Sequence, residues 1–123
     1  MPTKTLAPCP DKPNCVSSEA EAGQHYIDPF IITGEPNQAW QALQSVIEQM
    51  ARTEVQTIDD TYIHAEAKSR FFGFVDDVEF LLQPEKKRIA IRSASRTGFA
   101  DLGVNRKRLE KIRKMLQESE VIK

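Results

Sequence analysis

The chain has 123 residues and a mass of 14.0 kDa, the size of one domain, and leaves no room for a second catalytic domain. Apolar residues make up 40% and charged residues 28%, which fits a soluble globular protein and excludes fibrous or collagen-like repeats. The 17 Lys and Arg residues against 18 Asp and Glu give a formal charge of -1, so no global field attracts nucleic acid or anionic lipid. Such a partner would need a local patch of charge.

The sequence contains no segment that predicts insertion into a membrane. No stretch approaches the roughly 18 apolar residues of a membrane helix, and residues 1–13 lack both the basic and the apolar part of a signal peptide. We therefore expect no membrane span and a cytoplasmic location for the chain as given. An oxidising or exported compartment is the alternative, and it bears on the state of the two cysteines.

Residues 1–24 are rich in Pro, Ser, Glu and Ala, which predicts an extended arm ahead of one α+β domain over residues 25–123. Cys9 and Cys15 enclose Pro-Asp-Lys-Pro-Asn, whose prolines stiffen the loop enough to let the thiols bridge. A structural bridge, two free thiols, a redox pair and half of a metal site with His25 all fit this pattern. We favour a structural role and predict no metal or cofactor, because zinc would need two more ligands.

The first half of the domain predicts a strand followed by a helix. Residues 26–33 have a strand composition, in which Pro29 indicates a bulge or an edge position. Pro36 suits the first turn of a helix. The apolar residues at helical spacing after it are Trp40, Leu43, Ile47 and Met50. This spacing predicts the first helix.

Period-two alternation predicts half-buried antiparallel strands over residues 62–69, 75–82 and 88–96, with a shorter strand over 55–58. A second apolar stripe at helical spacing predicts a helix from about residue 105 to 119. This order of elements is that of an α+β fold. We expect a twisted antiparallel sheet of about four to five strands with two helices packed on one face.

The alternation also places charged side chains on the face of the sheet away from the helices. These residues are His64, Glu66, Asp77, Glu79, Arg88 and Arg92. Glu79 and Arg92 are expected to form a cross-strand pair. One interpretation is a solvated, salt-bridged surface of little energetic weight. The other is a polar site in which His64 works with Glu66 or Asp77 in acid-base chemistry.

Residues 92–98, Arg-Ser-Ala-Ser-Arg-Thr-Gly, combine two guanidinium groups with three hydroxyls shortly before a predicted helix. This combination is typical of sites for phosphate or carboxylate. The predicted ligand-binding residues are Arg92, Ser93, Ser95, Arg96 and Arg106. No Walker-type or dinucleotide-binding glycine pattern occurs in the sequence.

A structural interpretation of the same segment stays open. The two arginines would then pair with Glu79 and Asp77 on the neighbouring strand, and the serines would satisfy backbone groups. In this interpretation Asp101 or Asn105 caps the following helix.

The second predicted helix carries a local positive patch, with six basic residues against the single acid Glu110 over residues 105–114. Such a patch suits nucleic acid, anionic lipid or an acidic protein. It lacks interleaved aromatic residues, so we expect no specific nucleic-acid binding and favour a solvated helix face. As a further hypothesis, the helix docks on an acidic partner through Lys107 and Lys111.

Four segments together resemble the domain-of-unknown-function 1499 family. They are Cys9-Pro-Asp-Lys-Pro-Asn-Cys-Val-Ser-Ser18, Tyr62-Ile-His-Ala-Glu66, Gly73-Phe-Val-Asp-Asp-Val-Glu-Phe80, and Ile91-Arg-Ser-Ala-Ser-Arg96 through Asp101-Leu-Gly-Val-Asn-Arg-Lys-Arg108. The match covers nearly the whole chain in the same order. The resemblance implies a family of bacteria and plastids with no assigned biochemical role.

The resemblance also draws attention to polar positions within these segments. They are Asn14, His64, Glu66, Asp76, Asp77, Glu79, Arg92, Ser93, Ser95, Arg96, Asp101, Asn105 and Arg106. They form either a site or a buried hydrogen-bond network that holds the cysteine arm onto the sheet. We favour a small non-catalytic binding or accessory domain that recognises an anionic ligand or a protein partner, and lean away from an enzyme. The alternative is an enzyme that uses His64 with Glu66 or Asp77 on an anionic substrate; the oligomeric state is left open.

Overall fold

The computed structural model describes residues 5–21, 23–69, 73–98 and 102–123. Two helices and six strands follow one another in the order β, β, α, β, β, β, β, α. Their bounds are β1 Cys15–Ser17, β2 Phe30–Ile31, α1 Pro36–Gln49, β3 Thr53–Ile58, β4 Tyr62–Lys68, β5 Val75–Gln83, β6 Arg88–Ser95 and α2 Val104–Glu118. A single 3₁₀ turn, Pro84–Lys86, joins β5 to β6. The predicted α+β class is confirmed.

All six strands belong to one antiparallel sheet, in which β3, β4, β5 and β6 are neighbours in chain order. Both β1 and β2 pair with β6, along different parts of its outer edge. Residues 15–17 lie opposite residues 92–94, and residues 30–31 lie opposite residues 88–89. The sheet is therefore slightly larger than predicted, because two short segments share one edge of β6.

Both helices pack on one face of the sheet, as predicted. The buried residues of the helices are Ala39, Trp40, Leu43, Val46 and Ile47 in α1, and Asn105, Leu109, Ile112 and Leu116 in α2. The apolar ones join Ile63, Val78, Phe80 and Ile91 of the sheet in one core cluster. Since side chains alternate along a strand, the intervening residues of β4, β5 and β6 lie on the opposite face, which we call the open face.

The strand predicted over residues 26–33 forms ladder pairs only at Phe30–Ile31. Pro29 has no backbone N–H to donate, which limits pairing on its N-terminal side. The carbonyls of Asp28 and Pro29 instead accept hydrogen bonds from the guanidinium of Arg113, at 2.6 and 3.1 Å. Contacts with the second helix thus replace part of the expected ladder.

The N-terminal arm touches the sheet at two places. Leu6 is 5% exposed and packs with Tyr62, Leu81 and Ala90 on the open face. The strand β1 lies along the edge of β6, and a Cys9–Cys15 disulfide, with a Cα–Cα distance of 5.7 Å, joins the two parts of the arm. The predicted boundary between arm and domain at residue 24 stays a prediction. Neither described helix has the length and apolar character that crossing a membrane requires.

Candidate functional site

Four polar side chains meet on the open face, and we call His64, Glu66, Asp77 and Arg96 the open-face cluster. Glu66 lies directly opposite Asp77 across the β4–β5 pair. The Nε2 atom of His64 is 2.7 Å from Oδ1 of Asp77. Arg96 donates to both carboxylate oxygens of Asp77 at 2.8 Å and to Glu66 at 2.5 Å. One guanidinium group thus bridges two strands.

The protonation of this cluster follows from its hydrogen bonds. The guanidinium of Arg96, and then the hydrogen bond from His64, hold the pKa of Asp77 below its usual value, although partial burial acts in the opposite direction. An ionised Asp77 can only accept, so we assign a proton to Nε2 of His64. In its neutral form His64 therefore has a lone pair on Nδ1, which can act as a base or bind a ligand.

A second group of contacts lies beside this cluster on the same face. Arg92 donates to Glu79 at 3.2 Å, which confirms the predicted cross-strand pair, and also to the carbonyl of Pro8 in the arm. The hydroxyl of Tyr62 donates to the other carboxylate oxygen of Glu79. Burial and this hydrogen bond raise the pKa of Tyr62. These contacts connect the arm to the open face.

The open-face cluster contains the residues that come closest to a metal-binding arrangement in the described part of the chain. His64, Glu66 and Asp77 each offer one ligand atom, and these atoms lie within 4.8 Å of one another. Arg96 already places its positive charge between the two carboxylates. A cation would have to displace this side chain before it reached both carboxylates.

A second polar group lies on the helix side of the sheet, and we call Asn14, Asp76, Ser93, Asn105 and Arg108 the buried network. Ser93 donates to Oδ1 of Asn105, and both residues are 0% exposed. Asn105 donates from Nδ2 to the carbonyl of Asn14 at 3.1 Å. Arg108 pairs with Asp76 at 2.8 Å. The network therefore ties α2 and the arm to the strands β5 and β6.

The structure separates the predicted ligand-binding residues. Arg92 and Arg96 lie on the open face, where they pair with Glu79 and Asp77 as the structural interpretation expected. The two serines between them face the helices, because successive residues of a strand alternate. Arg106 lies apart from both and donates to the carbonyls of residues 24 and 26, at 3.0 and 2.7 Å.

The serines and the asparagine have partners other than those expected. Ser93 and Ser95 hydrogen-bond the side chain of Asn105 rather than backbone groups. The predicted cap, Asn105, directs its side chain into the buried network. The other predicted cap, Asp101, lies outside the described residues.

A third polar region is a surface pocket of about 260 Å³ between the end of α1, the paired ends of β3 and β4, and the first turns of α2. Four exposed cationic side chains line it, and we call this region the basic pocket. They are Arg52, Lys68, Lys107 and Lys111. Arg108 also lines the pocket, with its charge paired to Asp76. No carboxylate occurs among the described lining residues.

Sequence reasoning found half of the basic pocket. Lys107 and Lys111 belong to the positive patch on the second helix, where their spacing of four residues places them on one helix face. Arg52 and Lys68 lie at the open end of the β3–β4 hairpin, and the backbone bond from the N–H of Lys68 to the carbonyl of Arg52 brings them together. Only the pairing of β3 with β4 creates this proximity.

Comparison with known proteins defines the family of this chain. Residues 5–116 of 123 match the family described as protein of unknown function (DUF1499). The chain belongs to this family, as the resemblance predicted. No curated protein matches it. Membership of this family carries no statement about binding or catalysis.

Proposed function

We propose that this protein is a small non-catalytic binding or accessory domain that recognises an anionic group of a ligand or partner through the basic pocket. The supporting observation is that four cationic side chains without an ion pair among the described residues surround one pocket. The positive charges of side chains around one pocket repel each other, even though the solvent screens them. An anion in the pocket would replace that repulsion by attraction and would accept their hydrogen bonds.

The open face is a weaker candidate for an anion. Two of its arginines, Arg92 and Arg96, already pair with three carboxylates, those of Glu66, Asp77 and Glu79. The third described arginine of this face, Arg88, donates to the side chain of Gln83 at 2.6 Å and lies alone at the far end of β6. The basic pocket is the better candidate site for the predicted anionic ligand, because its lysines are exposed to solvent.

The proposed binding can be tested with inorganic phosphate as the probe, followed by amide chemical shifts. We expect saturable shifts at the residues of the basic pocket and weaker binding at higher salt. The double variant Lys107→Glu with Lys111→Glu should weaken the affinity by about tenfold or more. A matched control reverses the same number of charges at Lys86 and Lys87, which lie at the far end of β5. Equal affinity of the two double variants would refute the proposal.

A second candidate function is acid-base catalysis at the open-face cluster, and the observation that favours it is the 2.7 Å contact between His64 and Asp77. Asp77 would orient the imidazole and leave Nδ1 as the base. The probe is p-nitrophenyl phosphate, an anionic substrate with a chromogenic leaving group. Catalysis predicts a pH-rate profile centred near neutrality that His64→Gln abolishes. Turnover that is equal in the wild type and in His64→Gln would exclude His64 from this reaction.

A further inference from the structure

Large apolar side chains are exposed at the same end of the domain as the basic pocket. Leu102 is 89% exposed, Phe74 57% and Val104 46%. Val104 itself lines the pocket, and Leu102 lies two residues before it. Phe74 is joined to Ser69, the residue after the pocket residue Lys68, by a backbone bond of 2.8 Å. We call Phe74, Leu102 and Val104 the apolar rim; Val104 begins α2 and lines the pocket, and Phe74 and Leu102 lie in chain segments next to pocket residues.

Leu102 combines its high exposure with an unfavourable backbone conformation. Its φ angle is 56°, in the left-handed region, where the β-carbon of an L-residue approaches the backbone too closely. Such strain persists where the surroundings impose it, often at functional sites. At 89% exposure the side chain also gains almost no burial energy within the fold. Neither feature stabilises the isolated domain, and asparagine or glycine would suit the backbone better.

The apolar rim and the basic pocket together form an amphipathic surface. Side chains that enter the interfacial region of a bilayer gain apolar contacts, and nearby Lys and Arg gain attraction to anionic headgroups. Each basic residue near an anionic leaflet contributes about a fivefold gain in partitioning. Arg52, Lys68, Lys107 and Lys111 are positioned for this effect around one pocket.

We propose that this end of the domain docks on an anionic lipid surface. The headgroup phosphates would occupy the basic pocket, and Leu102, Val104 and Phe74 would reach the boundary between headgroups and acyl chains. This proposal rests on the proposed function of the pocket and adds the source of the anion. A soluble phosphate would use the cations but would leave the rim in water. A bilayer accepts protruding apolar side chains of any shape, whereas a protein partner needs a hollow that matches them.

The first measurement is co-sedimentation of the full chain with vesicles. We expect binding to phosphatidylcholine vesicles that contain about a third phosphatidylglycerol, little binding to pure phosphatidylcholine, and weaker binding at high salt. Equal binding to both kinds of vesicle, or binding to neither, would overturn the proposal. Soluble polyglutamate serves as a competitor. If it binds as tightly as the anionic vesicles, an acidic protein is the better partner and lipid docking is wrong.

Substitutions in the rim separate lipid docking from anion binding. Leu102→Asn should weaken vesicle binding by at least about fivefold, leave phosphate binding unchanged, and leave Tm equal or higher because asparagine tolerates a positive φ. The matched control is Ile58→Asn, which changes an apolar residue 48% exposed at the opposite end of β3. Vesicle binding that both variants retain in full would refute a role for the rim.

Measuring both phosphate binding and vesicle binding in charge-reversed variants separates a failure of lipid docking from a failure of the proposed anion binding. Lys107→Glu with Lys111→Glu should reduce both phosphate and vesicle binding, and vesicle binding by about twentyfold or more. Reversal at Lys86 and Lys87 should change neither by more than about twofold. Phosphate binding without vesicle binding would overturn lipid docking alone. A wild type that binds neither phosphate nor anionic vesicles would overturn both proposals.

Discussion

At the scale of single residues, Asp76 and Arg108 form a largely buried ion pair. Their side chains are 10% and 12% exposed, and their charged atoms lie 2.8 Å apart. Arg108 also donates to Ser93 and to Asn105, at 3.1 and 2.8 Å. A buried charge is tolerated only where its partner and its hydrogen bonds are complete. The polar side chains of the buried network therefore depend on one another.

Removal of one member of this pair should be costly. We expect Asp76→Ala to lower the free energy of unfolding by about 3–5 kcal/mol, because Arg108 would keep a buried charge without a counter-charge. Chemical denaturation measures the change. The comparison variant is Glu110→Ala, which breaks an ion pair with Arg113 in which the carboxylate side chain is 47% exposed. Its expected cost is about 0–1 kcal/mol, and equal costs for the two variants would contradict this account.

At the scale of elements, β1 shows how a very short strand joins a sheet. Only residues 15–17 pair with β6, so its ladder alone provides few hydrogen bonds. The carbonyl of Asn14 adds two, from the N–H of Ser95 at 3.0 Å and from the side chain of Asn105. The disulfide between Cys9 and Cys15 then restricts the segment that precedes the strand. Covalent and polar contacts compensate for the short ladder.

Loss of the disulfide should measurably destabilise the domain. A closed loop of this length restricts the unfolded chain, and its removal is expected to lower the free energy of unfolding by about 2 kcal/mol. Urea denaturation with and without reductant measures this difference in the wild type. The variant Cys9→Ser with Cys15→Ser controls for other effects of the reductant and should be insensitive to it. A wild type that is equally stable under both conditions would disagree with a structural role for the bridge.

At the scale of the whole molecule, the formal charge of -1 hides a strong separation of charge. The open face pairs its acids and arginines across neighbouring strands. The basic pocket, at one end of the sheet, collects four exposed cationic side chains that have no ion pair among the described residues. We therefore expect the pH dependence of stability to arise from the ion pairs of the open face, and anion binding to occur at the basic pocket.

The pairing on the open face predicts a pH dependence of stability. Arg96 lowers the pKa of Asp77 in the folded protein relative to the unfolded chain. The contribution of this pair is therefore present above the ordinary aspartate pKa of about 3.9 and is lost as the pH falls through the lower folded pKa. Arg96→Gln should be less stable than the wild type at neutral pH, and the gap should narrow below about pH 4. Denaturation over a pH series tests this, and a gap that widens in acid would contradict it.

Much of the fold could be predicted from local patterns. The strands β4, β5 and β6 and both helices lie within a few residues of their predicted bounds, since period-two and helical spacings reflect burial on one side. The pair of Glu79 and Arg92 followed from the same alternation. The same alternation places Ser93 on the face opposite Arg92, so polar residues that are neighbours in sequence lie on two sides of the sheet. Strand geometry separates these neighbours.

The sequence by itself thus determined the α+β class, the helices, the inner strands, the family and the charges of the open face, because each depends on a short repeat or a contiguous motif. Only the tertiary structure decided that β1 shares an edge with β2, and that Arg52 and Lys68 join Lys107 and Lys111. These contacts join segments far apart in the chain. No local period encodes them, because they depend on which strands pair and on where α2 crosses the sheet.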